Sequence, residues 1–536
     1  MRSSVASLLT VAVWPLLASA GKFRDRIDAR NYRFEKFSQP APVRKSFEER
    51  SESFKFMSNS TKPYAVESLP EVNFDIGELY SGSVPIDSND TSRTLFFVFA
   101  PSLGDSVEEV TIWLNGGPGC SSLEGFFQEN GPFTWQPGTL APVQNPYTWA
   151  NLTNMLWVDQ PVGTGYTQGN ATATSQYETA QDFIKFFKNW EDIFGIKNYK
   201  IYVTGESYAG RYVPYISAAM LDQNDTTYYN LSGALVYDPC IGDFNAIQEE
   251  YVAVPYLMEY NNILNLNDSF MQQMESLHQS CGYADYIDKY LTFPASGVQP
   301  PIYFNTSGSN ASCDVFDMAN NALLEVNPCF DIYEIVEMCP LLSDVLGFPT
   351  ELVDNVYNQT YFNRSDVKSA MHAPSDSDWA ECKGPVFLGG PEVDGYYTGG
   401  PQGEGDLAPD PIQHVLPQVI EATNRVLVGN GDFDMIIITN GTLLSIQNMT
   451  WNGKLGFDER PSTPINITLP DLQYAEVYDE NGLNGTDGAQ GVMGIQHYER
   501  GLMWVETYQS GHMQPEFQPR VAYRHLSWLL GRTEEI

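Results

Sequence analysis

Residues 201–210 read IYVTGESYAG: a β-branched and aromatic run, Ile201 to Thr204, breaks at Gly205 and Glu206 into Ser207, and a helical pattern starts just beyond. A tight strand-to-helix turn of this kind lifts one serine hydroxyl clear of a sheet. Gly205 and Ala209 stand two residues either side of Ser207, where the crowded turn tolerates little more than a hydrogen or a methyl group. Such a pattern is short enough to be an ordinary surface turn. Its meaning depends on whether the chain also supplies a base, an acid and oxyanion donors.

An α/β-hydrolase sheet delivers these groups in the order serine, acid, histidine. Of the six histidines, His278, His372 and His414 precede the late strand that starts near Arg425 and are set aside; His497, His512 and His525 follow it. His525 sits in the apolar helical run RHLSWLL and reads as a packing or surface residue, and His497 in GIQHYERG lacks a flexible hinge. His512 in YQSGHMQP lies on a glycine-containing loop closed by a proline, a segment suited to presenting a ring. The late strand runs into GNGDFD, which offers Asp432 and Asp434; in an extended chain both face the same side, and turn capping is the bland reading of either. Oxyanion donors are expected from TIWLNGGPGCSSLEGFF, where Gly116 and Gly117 expose backbone N–H groups after an early strand. A phosphate loop is excluded by the missing GK[ST] ending.

Short apolar runs predict strands at Leu95–Ala100, Val110–Leu114, Met155–Val158, Lys200–Thr204, Ala234–Tyr237 and Arg425–Val428, as in a sheet covered on both faces. Between two of them, 174–194 places Phe183, Phe186, Phe187, Trp190 and Phe194 on one helical face, a core stripe. From Cys240 to Gln418 periodicity weakens, cysteines concentrate and loops rich in Pro, Gly and Asn appear, which reads as a cap inserted into the sheet. The expected organisation is a signal peptide at 1–20, a basic segment and candidate propeptide at 21–62, the first part of the core at 63–239, a cap with connecting segments at 240–418 and the second part of the core at 419–536.

The address comes from the first twenty residues: Arg2, an apolar stretch from Val5 to Ala18 too short to span a membrane, and the small residues Ala18, Ser19 and Ala20. Fifteen N-x-S/T triplets, opened by Asn59, Asn89, Asn151, Asn170, Asn224, Asn230, Asn267, Asn305, Asn310, Asn358, Asn363, Asn440, Asn448, Asn466 and Asn484, agree with a secreted glycoprotein carrying N-linked glycans. Secretion is the expected destination, with the vacuole as the alternative.

The net charge of the 536-residue chain is -38, yet residues 21–62 hold eleven Lys or Arg against six Asp or Glu. So acidic a body repels nucleic acid and anionic membranes and suits an acidic medium. The basic leader reads either as a segment that docks on that body or as a disordered arm. Seven cysteines form neither a CxxC pair nor a Cys/His cluster, so no metal site is expected and disulfides with one thiol left over are. Proximity pairs Cys281 with Cys313 and Cys329 with Cys339.

Four motifs, WLNGGPGCSS at Trp113–Ser122, GESYAGRYVP at Gly205–Pro214, GDFD at Gly431–Asp434 and GHMQP at Gly511–Pro515, together resemble the serine carboxypeptidase family, in its secreted fungal carboxypeptidase S1-like form. The resemblance implies an α/β-hydrolase fold with a mixed central sheet, flanking helices and an inserted cap. It implies Ser207 as nucleophile, His512 as general base and acid, and Asp434 as the orienting carboxylate. Gly117 and Tyr208 are then the oxyanion donors, and Asn115, Gly116, Glu129 and Glu206 the receptor for the substrate's terminal carboxylate. The implied activity is release of C-terminal amino acids from peptides and proteins at acidic pH, with no cofactor or metal, by a monomer or homodimer. Cys120 with Cys382 resembles the family's link from the glycine loop to the cap, leaving Cys240 free. The same scaffold also supports acyl transfer to other acceptors.

The carboxylate receptor has its own logic. Glu206 adjoins the nucleophile, and an anionic substrate is repelled there unless Glu206 and Glu129 share a proton. Two departures stand out: Gln514 where relatives have an apolar residue after GHM, and Ile437 where many have cysteine, so thiol-reagent sensitivity is not expected at that place.

Overall fold

Strands that are apolar on both faces must be covered on both faces, and the computed structural model places them at the centre of one large sheet. It describes residues 47–301, 313–347, 360–388, 406–467 and 491–536. The signal peptide, most of the basic segment and the sequons at Asn305, Asn310, Asn358 and Asn484 lie outside the described residues.

Among the described residues ten strands build the sheet: β1 (Tyr80–Asp87), β2 (Asp90–Ala100), β3 (Glu109–Leu114), β4 (Asn154–Asp159), β5 (Lys200–Glu206), β6 (Asn230–Tyr237), β7 (Val426–Gly431), β8 (Thr463–Asn466), β9 (Val492–Glu499) and β10 (Leu502–Thr507). Their spatial order is β1-β2-β4-β3-β5-β6-β7-β10-β9-β8. The six central strands from β4 to β10 run parallel, with Leu114 beside Gly205, Glu206 beside Tyr237, Tyr237 beside Gly429 and Thr507 beside Gly431. The flanking pairs are antiparallel, so the sheet is mixed as expected. Its alignment brings the loops after β3, β5, β6, β7 and β10 to one edge, where ligands bind in open α/β sheets.

The principal helices are α1 (Gln176–Phe194), α2 (Ala209–Asp222), α3 (Tyr251–Leu264), α4 (Asp268–Ser280), α5 (Tyr283–Tyr290), α6 (Val315–Val326), α7 (Val415–Thr423), α8 (Thr439–Gln447) and α9 (Pro519–Leu529). The aromatic stripe of α1 covers one face: Phe183, Phe187, Trp190 and Phe194 are buried, and the Trp190 ring lies 5.0 Å from that of Phe99 on β2. Truncating Trp190 to alanine removes packing worth about 3–5 kcal/mol. Gly195 ends the helix in the left-handed region at φ 68°, a conformation that costs glycine nothing. The opposite face packs Trp113, Trp157, Phe126 and Phe127 with Leu526 and Leu529 of α9.

Helices α3 to α6 occupy the region where the sequence shows little periodicity. They have a core of their own, including Val252, Leu257, Met274, Phe316 and Leu323, which continues into Met435 and Ile438 just after β7. The cap is thus seated on the segment that follows GDFD. Of the basic leader, residues 47–62 dock on the body: Arg50 pairs with Asp75 at 2.6 Å, Lys55 caps the carbonyls of Ser102 and Gly104, and Phe56 packs edge-on against Phe99. The disulfides are Cys120–Cys382, Cys281–Cys313 and Cys329–Cys339, with Cys240 free, the pairing expected.

Candidate active site

Ser207 stands between β5 and α2 at φ 61°, the strained left-handed conformation of an elbow. Its N–H donates to the Tyr237 carbonyl at 2.9 Å and its own carbonyl accepts from Cys240 at 3.0 Å, so the turn is tied to the end of β6. Nothing larger than hydrogen fits at Gly205, where a Cβ would lie 2.3 Å from the Leu114 carbonyl oxygen and 2.7 Å from the Ala209 methyl. The Tyr208 hydroxyl and the Arg211 guanidinium both reach Asp406, each at 2.8 Å, and pin the start of α2.

The glycine loop after β3 lies against this elbow. A Cβ on Gly116 would sit 2.5 Å from the Tyr208 nitrogen and 2.6 Å from the Ser207 Cβ, so only glycine permits the approach. Downstream the loop is anchored twice. Ser121 Oγ and the Ser122 N–H donate to Asp159 at 2.6 and 3.1 Å, and Cys120 is bridged to Cys382 while Lys383 donates to the Gly119 carbonyl.

Asn115 organises the acids beside Ser207. Its Oδ1 accepts from Trp113 Nε1 at 2.9 Å and from the Gly125 N–H at 3.2 Å, and both partners are donors only. The amide nitrogen must therefore face the carboxylates. It donates to Glu206 at 2.8 Å, Glu129 at 3.0 Å and Glu124 at 3.4 Å. Glu129 ends a buried π-helical turn, Gly125–Glu129, of the type that often marks functional sites. One oxygen each of Glu129 and Glu206 accepts from no donor of the protein, and the two carboxyls are within reach of sharing a proton with one another. Burial, opposed by the hydrogen bonds of Asn115 and Glu206, pushes Glu129 up to about 7. Burial first, then the neighbouring Glu129 and Glu124, raise Glu206 well above the carboxylate range.

His512 and Asp434 meet at the same edge. His512 Nδ1 lies 2.7 Å from Asp434 Oδ2, and Asp434 Oδ1 accepts from the Ile436 and Ile437 N–H groups at 2.9 and 3.4 Å. The tautomer with the proton on Nδ1 follows from that carboxylate, which leaves Nε2 buried and without a partner. Burial lowers the His512 pKa against the pull of Asp238 and Asp331, which favours the neutral ring, the form able to take a proton. Tyr333 from the cap packs on the imidazole, with centroids 5.1 Å apart, and its carbonyl accepts the His512 N–H.

The other candidates lie elsewhere. Asp432 accepts from the Ser510 N–H as a turn cap and does not face His512. His497 on β9 pairs with Glu499 at 3.1 Å. His525 is buried in α9, 3.0 Å from the Tyr237 hydroxyl, and burial lowers its pKa to about 3. Sequence reasoning missed Glu124 beside Asn115, and Asp238, whose carboxylate lies within 4.8 Å of both Asp434 and His512. Neither carried a signal: Glu124 sits in a loop read for its glycines, and Asp238 precedes Pro239 as many turn residues do. Asp238, Asp434 and His512 are close enough to share an ion, but they are already engaged, Asp434 with His512 and Asp238 with Gln514. The free Cys240 thiol is pushed up to about 12 by burial and is not a nucleophile at working pH.

Residues 70–532 match the family model described as serine carboxypeptidase. The chain is 66% identical over 488 residues, 90% of each chain, to serine-type carboxypeptidase F of Aspergillus niger. It is 41% identical over 525 residues, 95% of this chain and 93% of the other, to a probable serine carboxypeptidase of Arthroderma benhamiae. The crystal structure of the Kex1 prohormone-processing carboxypeptidase of Saccharomyces cerevisiae shares the fold, with a TM-score of 0.63 and 23% identity over 89% of this chain and 97% of that one.

Proposed function

The chain belongs to the serine carboxypeptidase family and is a serine-type carboxypeptidase, and from that premise we propose which residues carry the reaction and under what conditions it runs. The substrate's terminal carboxylate lies at Asn115, Gly116, Glu129 and Glu206, which sets the last peptide carbonyl at Ser207. Nε2 of His512 takes the Ser207 proton as Oγ attacks, and Asp434 holds the Nδ1–H and stabilises the imidazolium that forms. The N–H groups of Gly117 and Tyr208 stabilise the tetrahedral oxyanion. Collapse releases the terminal amino acid, protonated by His512, and leaves an acyl-enzyme on Ser207; His512 then activates the water that frees it.

What supports exopeptidase action over general ester hydrolysis is the Glu206–Asn115–Glu129 set. Three buried, hydrogen-bonded side chains directly beside the nucleophile hold two raised carboxyls, each with an oxygen that accepts from no donor of the protein. Protonated, those oxygens are donors matched to a carboxylate, and the protonation requires acidic medium. The test is release of a free C-terminal amino acid from an N-blocked dipeptide at acidic pH. Loss of that release in Ser207→Ala with an unchanged fold is expected, and its persistence would falsify the assignment.

The protein is secreted and N-glycosylated in this reading. No sequon asparagine among the described residues is buried, and Asn59, Asn89, Asn151, Asn170, Asn224, Asn267 and Asn466 are exposed. Among the described residues no helix is long and apolar enough to cross a membrane. A mass decrease on enzymatic deglycosylation of secreted material checks both points.

A further inference from the structure

Behind the Asp434–His512 pair lies a second, fully buried carboxyl that the reaction as described does not use. Asp238 follows β6, and one of its oxygens lies within 4.8 Å of the ligating atoms of both Asp434 and His512. It is a hydrogen-bonding neighbour of Asp434. Oδ1 accepts from the Gly431 N–H at 2.7 Å and from the Asn430 amide at 3.5 Å, and Oδ2 accepts from Gln514 Nε2 at 2.7 Å. Gln514 is itself fully buried, and its Oε1 takes the Thr507 hydroxyl at 2.8 Å, which directs its nitrogen at Asp238. Asp238 therefore ties the end of β6 to the turn after β7 and to the loop after β10 that carries His512.

Two carboxylates this close, both buried, cannot both be ionised beside a single neutral imidazole. Asp434 has the stronger claim on the charge, since the His512 Nδ1–H and two backbone N–H groups point at it. A protonated Asp238 satisfies every contact it makes: Oδ1 accepts from Gly431 and Asn430, while Oδ2 accepts from Gln514 and has a proton left to give. The other ionisable groups facing this assembly are Asp331 from the cap, towards Asp434 and His512, Glu206 at the end of β5, and the neutral phenols of Tyr237, beside Asp238, and of Tyr256 and Tyr333, beside Asp434. Cys240 also faces Asp434, as a neutral thiol.

We propose that Asp238 is a positioning residue for the reaction, a carboxylic acid that keeps its proton and gives it as a hydrogen bond to Asp434, with Gln514 fixing its orientation. In this arrangement Asp434 stays the one anion behind the imidazole, and its angle to Nδ1 is set from two sides. Gln514, a departure from the family's apolar residue, then has a stated purpose. The proposal rests on Asp434 and His512 acting as the catalytic pair. A His512→Ala enzyme of wild-type activity overturns that reading itself, whereas the variants below address only Asp238.

The experiment is steady-state kinetics on an N-blocked dipeptide between pH 3 and 8 for Asp238→Ala, Asp238→Asn and Gln514→Met. Alanine is expected to lower kcat about 10- to 100-fold with KM within twofold of wild type. Asparagine, an uncharged donor of the same shape, is expected to recover most of that loss, to within about threefold, with the Gln514 amide turned so that its oxygen accepts from the new nitrogen and its nitrogen donates to the Thr507 hydroxyl, and with the acidic limb of kcat/KM unmoved. An acidic limb displaced downward by a pH unit or more in Asp238→Asn means that Asp238 is an anion supporting the imidazolium, and overturns the proposal. So does a wild-type kcat in Asp238→Ala. Should the alanine variant fail to fold, Gln514→Met carries the test: kcat three- to tenfold lower at unchanged KM is expected, and an unchanged kcat overturns it.

Discussion

Replacing Glu129 by glutamine isolates the proton on which carboxylate recognition depends. In the native protein burial holds the Glu129 carboxyl near pKa 7, against about 4.3 for a free glutamate, so it is neutral in acidic medium. Above pH 7 it ionises beside the substrate's terminal carboxylate. Two unit charges about 4 Å apart at an effective dielectric of 20 repel by about 4 kcal/mol, close to a thousandfold in binding. For an N-blocked dipeptide, kcat/KM is therefore expected to fall about tenfold per pH unit above 7 until that ceiling is reached. In Glu129→Gln the group cannot ionise, and its amide still supplies a donor to the carboxylate. The alkaline limb should move upward by at least about one pH unit, with Glu206, raised by burial, as the next group to lose its proton. The control is the same dipeptide with its terminal carboxylate amidated. It lacks the charge and should show no such limb in the native enzyme. Superimposable profiles for Glu129→Gln and wild type, or an equal limb with the amide, refute the reasoning.

Gly116→Ala puts a methyl 2.5 Å from the Tyr208 nitrogen and 2.8 Å from the Glu206 carbonyl oxygen, so the loop must retreat from the elbow and take the Gly117 N–H with it. Loss of one oxyanion donor costs on the order of 100-fold in kcat, and a kcat within threefold of wild type counts against the donor assignment. Stability should fall as pH rises. Burial holds Glu191 near 9 and Glu506 near 8 in the folded chain, well above their unfolded values, so the folded state keeps protons through the window from about 4.5 to 9 that the unfolded chain has released. The melting temperature at pH 8 is expected roughly 5 °C or more below that at pH 5, and a higher value at pH 8 contradicts the sign. Opening Cys120–Cys382 with Cys382→Ser releases a closure of 262 residues and should cost about 5 kcal/mol in denaturant unfolding, while a loss under about 1 kcal/mol shows that the Asp159 contacts hold the glycine loop alone.

The centre of the fold is legible because its strands obey one simple rule. β3, β4 and β7 are buried at every position, so they stand out as continuous apolar runs between turn signals. The edges obey no such rule. β1 reads YSGSVPID, with Gly82 and Pro85 inside it, and β9 is half exposed with its buried residues scattered. The cap helices were hidden for a related reason. α3 carries Pro255 in its interior, which in sequence marks a break, and only packing against Met435 and Ile438 makes the helix worthwhile. At the site, alternation left Asp432 and Asp434 equivalent because it presumed an extended chain. The chain turns there instead: the Asp432 N–H donates to Thr507 and the Asp434 N–H back to Gly431, and only Asp434 is delivered to His512.

The acidity of the chain also takes a different meaning once the side chains are placed. Read from composition, a net charge of -38 belongs on the surface, where it serves solubility. The structure puts Glu124, Glu129 and Glu206 out of water beside the reacting serine, with Glu516 half-buried against the same cluster. Burial raises each of them, because a carboxylate loses more hydration than a carboxylic acid does. A site so built carries much less charge in acid than its residue count implies, and it gains charge steeply towards neutrality. The same desolvation that makes Glu129 a donor for an anionic substrate thus makes the fold itself costly to keep at higher pH. Recognition and stability should therefore both weaken towards neutral and alkaline pH, since raised, buried carboxyls underlie both: Glu129 the first, Glu191 and Glu506 the second.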